Sequence, residues 1–88
     1  MFRLWARTFK NTHMLQDVCI EDPSADTRTH KVFHALEKVC LEFDLGTPIW
    51  LDKTAADFKR HAKTRFYQDN FMETIDFDYL EIQIIEED

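Results

Sequence analysis

The stretch Asp26 to Gly46, DTRTHKVFHALEKVCLEFDLG, carries a helix start signal, one apolar stripe and a stop signal, so the rest of the chain has to pack around it. Asp26 and Thr27 offer side-chain oxygens that accept the unpaired amide hydrogens of a first helical turn. At the far end Gly46 can take the left-handed conformation that closes a helix, Leu45 can fold back onto the last turn, and Pro48 forbids continuation. On a wheel of about 100° per residue centred on Leu36, the residues Val32, Phe33, Val39, Cys40 and Phe43 all fall within roughly 60° of it. That stripe is a core face, and His30, His34, Glu37, Lys38 and Leu41 lie on the other side.

The flanks alternate with the period of strands. Phe2, Leu4 and Ala6 oppose Arg3, Trp5, Arg7 and Phe9; Met14, Val18 and Ile20 oppose Leu15, Asp17 and Cys19. Asn11-Thr12 between these runs predicts an antiparallel hairpin. Apolar residues on both faces of the first run predict an inner strand, or a second face covered by a partner. After Gly46, Ile49-Trp50-Leu51 predicts a short extended piece pressed on the core. Thr54, with Asp57 three residues on, predicts a capped second helix anchored by Phe58. Thr64 to Tyr67 is a brief strand, and Gln68-Asp69-Asn70 restarts a helical turn through Ile75. Tyr79 to Ile85 alternates most cleanly, with Leu80, Ile82 and Ile84 inward and Tyr79, Glu81 and Gln83 toward water; the trailing acids then protect an edge. The sum is a single α+β domain over 1–88: two layers, a three- to four-stranded, mostly antiparallel sheet, a main helix at about 27–44 and a short helix at about 55–63.

A chain of 88 residues buries roughly 60 to 65% of its unfolded surface, enough for a core without staples. Cys19 and Cys40 are accordingly expected as two buried free thiols in a reducing cytoplasm. Apolar runs are too short for a membrane span, and charges interrupt any signal-peptide core at the N-terminus. The net charge of −6 is unevenly placed: six Lys/Arg against seven Asp/Glu over 1–51, five against two over 52–68, and none against eight over 69–88. Such a field disfavours general binding to phosphate backbones.

Few constellations point to chemistry. His30 and His34, one helical turn apart, are the candidate metal ligands, but Lys31 stands where a zinc-protease helix has Glu, and no spacing rule brings in Glu37, His13 or His61 as a third ligand. Cys40 lies on the apolar stripe, where burial raises a thiol's pKa and blocks attack. The C-terminal carboxylates are expected in water, without the desolvation that acid/base work needs. With Gly46 its only glycine, the chain has no phosphate-cradling loop. No catalytic residue and no cofactor are assigned.

The sharper signal is Lys59, Arg60, His61, Lys63 and Arg65 running into Phe66 and Tyr67, cations followed by rings that could hold phosphates and stack on bases. Its plainer reading is neutralisation of the acidic C-terminus. Trp5, Phe9, Leu41 and Trp50 are apolar positions that the expected layout does not bury, a patch suited to a protein partner or a homodimer.

Arg3-Leu4-Trp5-Ala6, Arg28-Thr29-His30-Lys31, Pro48-Ile49-Trp50-Leu51-Asp52-Lys53, Phe58-Lys59-Arg60, Lys63-Thr64-Arg65-Phe66 and Ile75-Asp76-Phe77-Asp78-Tyr79-Leu80 together resemble the family of short uncharacterised acidic proteins of clostridia-like Gram-positive bacteria. The resemblance implies a bacterial, cytoplasmic protein and carries no activity with it. The function expected is a non-enzymatic protein-interaction module, in one form a homodimer, working through Lys59, Arg60, Lys63, Arg65, Phe66, Tyr67, Trp5, Leu41 and Trp50. Its alternatives are a weak single-stranded nucleic-acid binder through 59–67, an acidic nucleic-acid mimic, and a metal-binding protein using His30 and His34.

Overall fold

The structure, a computed structural model, describes residues 1–87. Strands β1 (Phe2–Lys10) and β2 (His13–Asp22) form the expected hairpin, followed by α1 (Arg28–Glu42), α2 (Asp52–His61), β3 (Lys63–Phe66), a 3-10 turn (Gln68–Asn70) and β4 (Tyr79–Glu86). The sheet has four strands in the order β2-β1-β4-β3, every neighbouring pair antiparallel. Both helices lie on one side of it, giving the two-layer α+β domain.

The inner face of the sheet supplies Phe2, Leu4, Ala6, Phe66, Leu80, Ile82 and Ile84, and the helices close over it with Val32, Ala35, Leu36, Val39, Cys40 and Phe58. Pairing on both edges makes β1 the inner strand that its two apolar faces predict. The hairpin turns through Asn11 (φ 52°) and Thr12 (φ 67°), the left-handed pair whose twist matches two-residue hairpins. Beyond it Phe9 stands opposite Met14 but Thr8 opposite Gln16, so Leu15 is an extra, bulged residue. The bulge puts Met14 on Phe9's face of the sheet, not on the face of Val18 and Ile20.

Helix α1 starts as expected: Thr27 Oγ1 accepts the His30 amide at 3.3 Å, and Asp26 Oδ1 accepts the Thr27 amide at 2.8 Å. Its buried arc is rotated from the apolar stripe, taking in Lys31 and Ala35 and leaving Phe33 half in water, because the helix leans over β1 and β2. The left-handed closing residue is Asp44 (φ 55°), not Gly46, and the Leu45 amide reaches back to Cys40 O at 2.8 Å. Gly46 serves a different need, since its N–H donates to Glu73 Oε1 and a Cβ there would stand 3.1 Å from that oxygen.

Three further expectations are corrected. Helix α2 begins at Asp52 without a side-chain cap, because Thr54 is buried with its hydroxyl accepting from Asn70 Nδ2 at 3.0 Å. The turn after β3 stops at Asn70, whose side chain is spent on Tyr67 N–H, Ile49 O and Thr54 rather than on continuing a helix toward Ile75. Strand β4 is internal, between β1 and β3, so its trailing acids protect no edge and its alternate face does not simply meet water.

Candidate interaction surfaces

The helix-free face of the sheet holds the outward residues of all four strands in rows across it. Arg3 stands between Glu21 and Glu86, Trp5 between Cys19 and Gln83, Arg7 between Asp17 and Glu81, and Phe9 between Met14 and Tyr79. Strand β3 extends two rows, with Arg65 beside Glu81 and Lys63 beside Gln83. One row therefore alternates in sign, Asp17, Arg7, Glu81, Arg65. The adjacent row is apolar and aromatic: Phe9 stacks on Tyr79 with ring centroids 5.2 Å apart, and Tyr67 lies 5.6 Å from Tyr79.

The centre of the charged row is sheltered although no helix covers it, while Asp17 and Arg65 at its ends are exposed. Arg7 is 7% exposed and Glu81 3%. The Arg7 guanidinium lies 3.8 Å from the centre of the Trp5 ring, which is held in place by Trp5 Nε1 donating to Asp17 Oδ2 at 2.9 Å. Arg65 likewise lies 4.5 Å from the Tyr79 ring centre. Glu81 accepts from Arg7 Nη2 through one oxygen and from Arg65 Nε through the other at 2.8 Å, and Gln83 Oε1 accepts from Arg7 Nη2 at 3.1 Å. Burial alone would raise the Glu81 pKa, but hydrogen bonds from Arg65 and Arg7, with their charges, outweigh it and hold the carboxyl below its ordinary value. Hydrogen bonding to Glu81, then to Tyr67, raises the Arg65 pKa. Among the described residues Arg7 Nη1 is buried without a hydrogen-bond partner.

A second feature is a groove of about 540 Å³ between α2 and β3, lined by Leu51, Lys53, Thr54, Asp57, His61, Lys63, Arg65 and Tyr67, with Asp69 and Asn70 at one end. Lys53 and Asp57 pair across one helical turn at 2.9 Å.

The residues singled out in the sequence separate in space. Phe66 is fully buried in the core, since β3 turns it inward, so it cannot stack on a base; Tyr67, 48% exposed, is the ring of that segment that reaches solvent. Lys59 and Arg60 project from α2, whereas Lys63 and Arg65 belong to β3 and share the outward face of Glu81. Trp50 is half-buried against the core, edge-on to Phe33, Phe58 and Phe66 at 6.1, 5.5 and 5.1 Å. Leu41 is 83% exposed on the outer side of α1, away from Trp5 on the sheet. Of the expected patch only Trp5 and Phe9 share a face, with the Arg7 row between them, and Tyr79 and Tyr67 join Phe9.

The described C-terminal acids are exposed as expected with one exception, Glu81. Glu81 is buried, Glu86 lies within 3.2 Å of Arg3 Nε and 3.3 Å of the N-terminal ammonium, and Glu87 lies 2.9 Å from Arg28 Nε. Arg65 is the member of the basic segment that pairs with this stretch. His30 and His34 have ring centroids 6.3 Å apart, with His30 Nδ1 turned to Asp26 at 2.9 Å, and no group of three potential metal ligands is assembled among the described residues. The cysteines are both free, but Cys19 is exposed on the helix-free face, a correction to its expected burial. Cys40 is buried, and burial followed by the charge of Glu73 pushes its thiol up to about 11. No described helix is long and apolar enough to cross a membrane.

Strand periodicity assigned Arg7 and Glu81 to outward faces and so missed them. The available signal was an Arg and a Glu at mid-strand in two runs that are both flanked by aromatic residues. Comparison with protein-family models, curated proteins and solved structures gives no match.

Proposed function

We propose that the chain is a non-enzymatic, cytoplasmic protein-interaction module whose working surface is the helix-free face of the sheet, and that a second copy of the chain occupies it. The observation carrying this reading is the pair of adjacent rows, one alternating in charge and one apolar, across all four strands. A twofold axis running along the strands between β1 and β4 exchanges β1 with β4 and β2 with β3. Under it the exposed Arg3 stands over the other copy's Glu86, Arg65 over its Asp17 and Phe9 over its Tyr79, while Arg7 and Glu81 stay paired within their own copy. Arg3 and Arg65 then face carboxylates and Lys63 faces the uncharged Cys19, with no like charges opposed in these rows, which is the self-complementarity that a twofold contact requires. Trp, Tyr and Arg are also the side chains that anchor protein contacts.

The nucleic-acid alternative draws support from Lys63 and Tyr67 lining one groove, but Phe66, the other ring it would use, lies in the core. Sedimentation equilibrium over rising protein concentration, with the alkylation rate of Cys19 followed in parallel, tests the proposal. The expected result is a shift to dimer mass together with slower Cys19 alkylation. A monomer at every concentration with a constant alkylation rate removes the second copy as occupant. Saturable, salt-sensitive binding of an oligonucleotide would instead favour the alternative.

A further inference from the structure

The edge of the sheet at β3 is open, and it lies beside the groove under α2. The Ile84 amide donates to Ala62 O at 2.9 Å, while Thr64 and Phe66 stand opposite Ile82 and Leu80, so these alternate residues of β3 turn their backbone groups toward β4. In an antiparallel ladder the residues between them point the other way. Lys63 and Arg65 therefore present N–H and C=O outward, and among the described residues none of these groups has a hydrogen-bond partner. A strand laid against them would also fill the groove of about 540 Å³ along Thr54, Asp57 and His61.

Charge and pattern narrow the occupant. Residues 52–68 carry five Lys/Arg against two Asp/Glu, whereas the remainder of the chain carries six against fifteen, and residues 59–65 alone carry four Lys/Arg and no acid, the densest positive cluster of an acidic protein. The inner edge of β3 already displays the matching chemistry: β4 sets Glu81 beside Arg65 on the outward face and Ile82 beside Thr64 on the inward face. We propose that the outer edge of β3 takes an extended acidic segment of a partner protein as a fifth strand. Its carboxylates would alternate with small apolar residues, the carboxylates beside Lys63 and Arg65 and the apolar groups against the flank of α2. Asp69 at the end of the groove opposes a further carboxylate there, so the acidic run is short. The side chains of Lys63 and Arg65 belong to the sheet face as well, but the edge is defined by β3 backbone groups that the contact between copies does not use, and neither proposal depends on the other.

The test is fluorescence anisotropy at low salt with a short, end-capped, fluorescein-labelled peptide of alternating Glu and Val. Two companion probes keep parts of its chemistry: the same peptide N-methylated on the amides that would face β3, and a peptide with Lys in place of Glu. Saturable binding of the first is expected, with about a tenfold or greater weakening on N-methylation, on exchange of Glu for Lys, and in the protein variant Lys63→Glu. Lys63 is exposed, so an unchanged unfolding midpoint is expected to accompany the loss. Absence of saturable binding overturns the proposal. So does equal affinity for the N-methylated peptide, which would mean charge attraction without strand addition, or full affinity in Lys63→Glu.

Discussion

Arg7 and Glu81 meet side by side on the one face of the sheet that no helix covers, and both are buried there. Taking two charges out of water costs several kcal/mol each, and the cost is met here by the second hydrogen bond from Arg65, the Gln83 contact and the Trp5 ring over the guanidinium. Glu81→Gln leaves the two cations without their shared carboxylate. A loss of about 3 to 5 kcal/mol is expected from urea unfolding. The paired change Arg7→Met with Glu81→Leu, which removes both charges, should recover most of that loss.

The same carboxyl sets an acid limit on stability. Its folded pKa lies below the ordinary glutamate value, so at neutral pH both the folded and the unfolded chain are ionised and the contribution is fully present. As pH falls through the ordinary glutamate range the unfolded chain takes up the proton first, and the contribution is lost as pH passes the lower folded value. Thermal unfolding followed below about pH 5 should show the melting temperature falling in wild type and falling less steeply in Glu81→Gln.

Asn70 ties three segments together, donating to Ile49 O at 2.8 Å and Thr54 Oγ1 at 3.0 Å and accepting the Tyr67 amide at 3.0 Å. Asn70→Leu has similar bulk but satisfies none of these groups. A cost of about 2 to 4 kcal/mol is expected, with faster amide hydrogen exchange at Tyr67 as the local readout. Unchanged exchange at Tyr67 would remove Asn70 as the tie.

These residues mark where the sequence was legible and where it was not. Periodicity located every strand and both helices, because a core-facing stripe needs only the spacing of residues such as Leu36, Leu80 and Ile82. Caps and turns were harder. Asp44 and Gly46 both stand at the end of α1, and only the path of the following chain decides that Asp44 takes the left-handed position while Gly46 admits Glu73. The sheltered Arg7–Glu81 pair was hidden for a different reason: alternation assigns Glu81 to the face opposite Ile82, but strand order alone brings Arg7 and Arg65 to either side of it.

Four residues, Asn11, Thr12, Asp44 and Ala62, hold side chains in a conformation that favours glycine, and two of them test its cost. Asp44→Gly removes the left-handed penalty at φ 55°, and Thr12→Gly does so at φ 67° for a β-branched residue and creates the preferred Asn-Gly hairpin turn. Each should raise stability by about 1 kcal/mol in chemical denaturation. Gly46→Ala should move it the other way by less, because the new methyl presses on the mobile end of the Glu73 side chain.

Phe66 and Tyr67 are neighbours in sequence on opposite sides of the sheet, and their variants should separate folding from association. Phe66 sits in the core with Trp50 edge-on at 5.1 Å, so Phe66→Ala should cost about 3 to 5 kcal/mol through the lost packing and the cavity left behind. Tyr67 touches Tyr79 and is 48% exposed, so Tyr67→Ala should cost no more than about 1 kcal/mol in unfolding. If the aromatic row is the contact between copies, that same variant should shift the sedimentation equilibrium toward monomer at concentrations where the wild type is dimeric. Loss of folding stability without any change in association would place Tyr67 outside the contact and return the surface to Trp5 and Phe9.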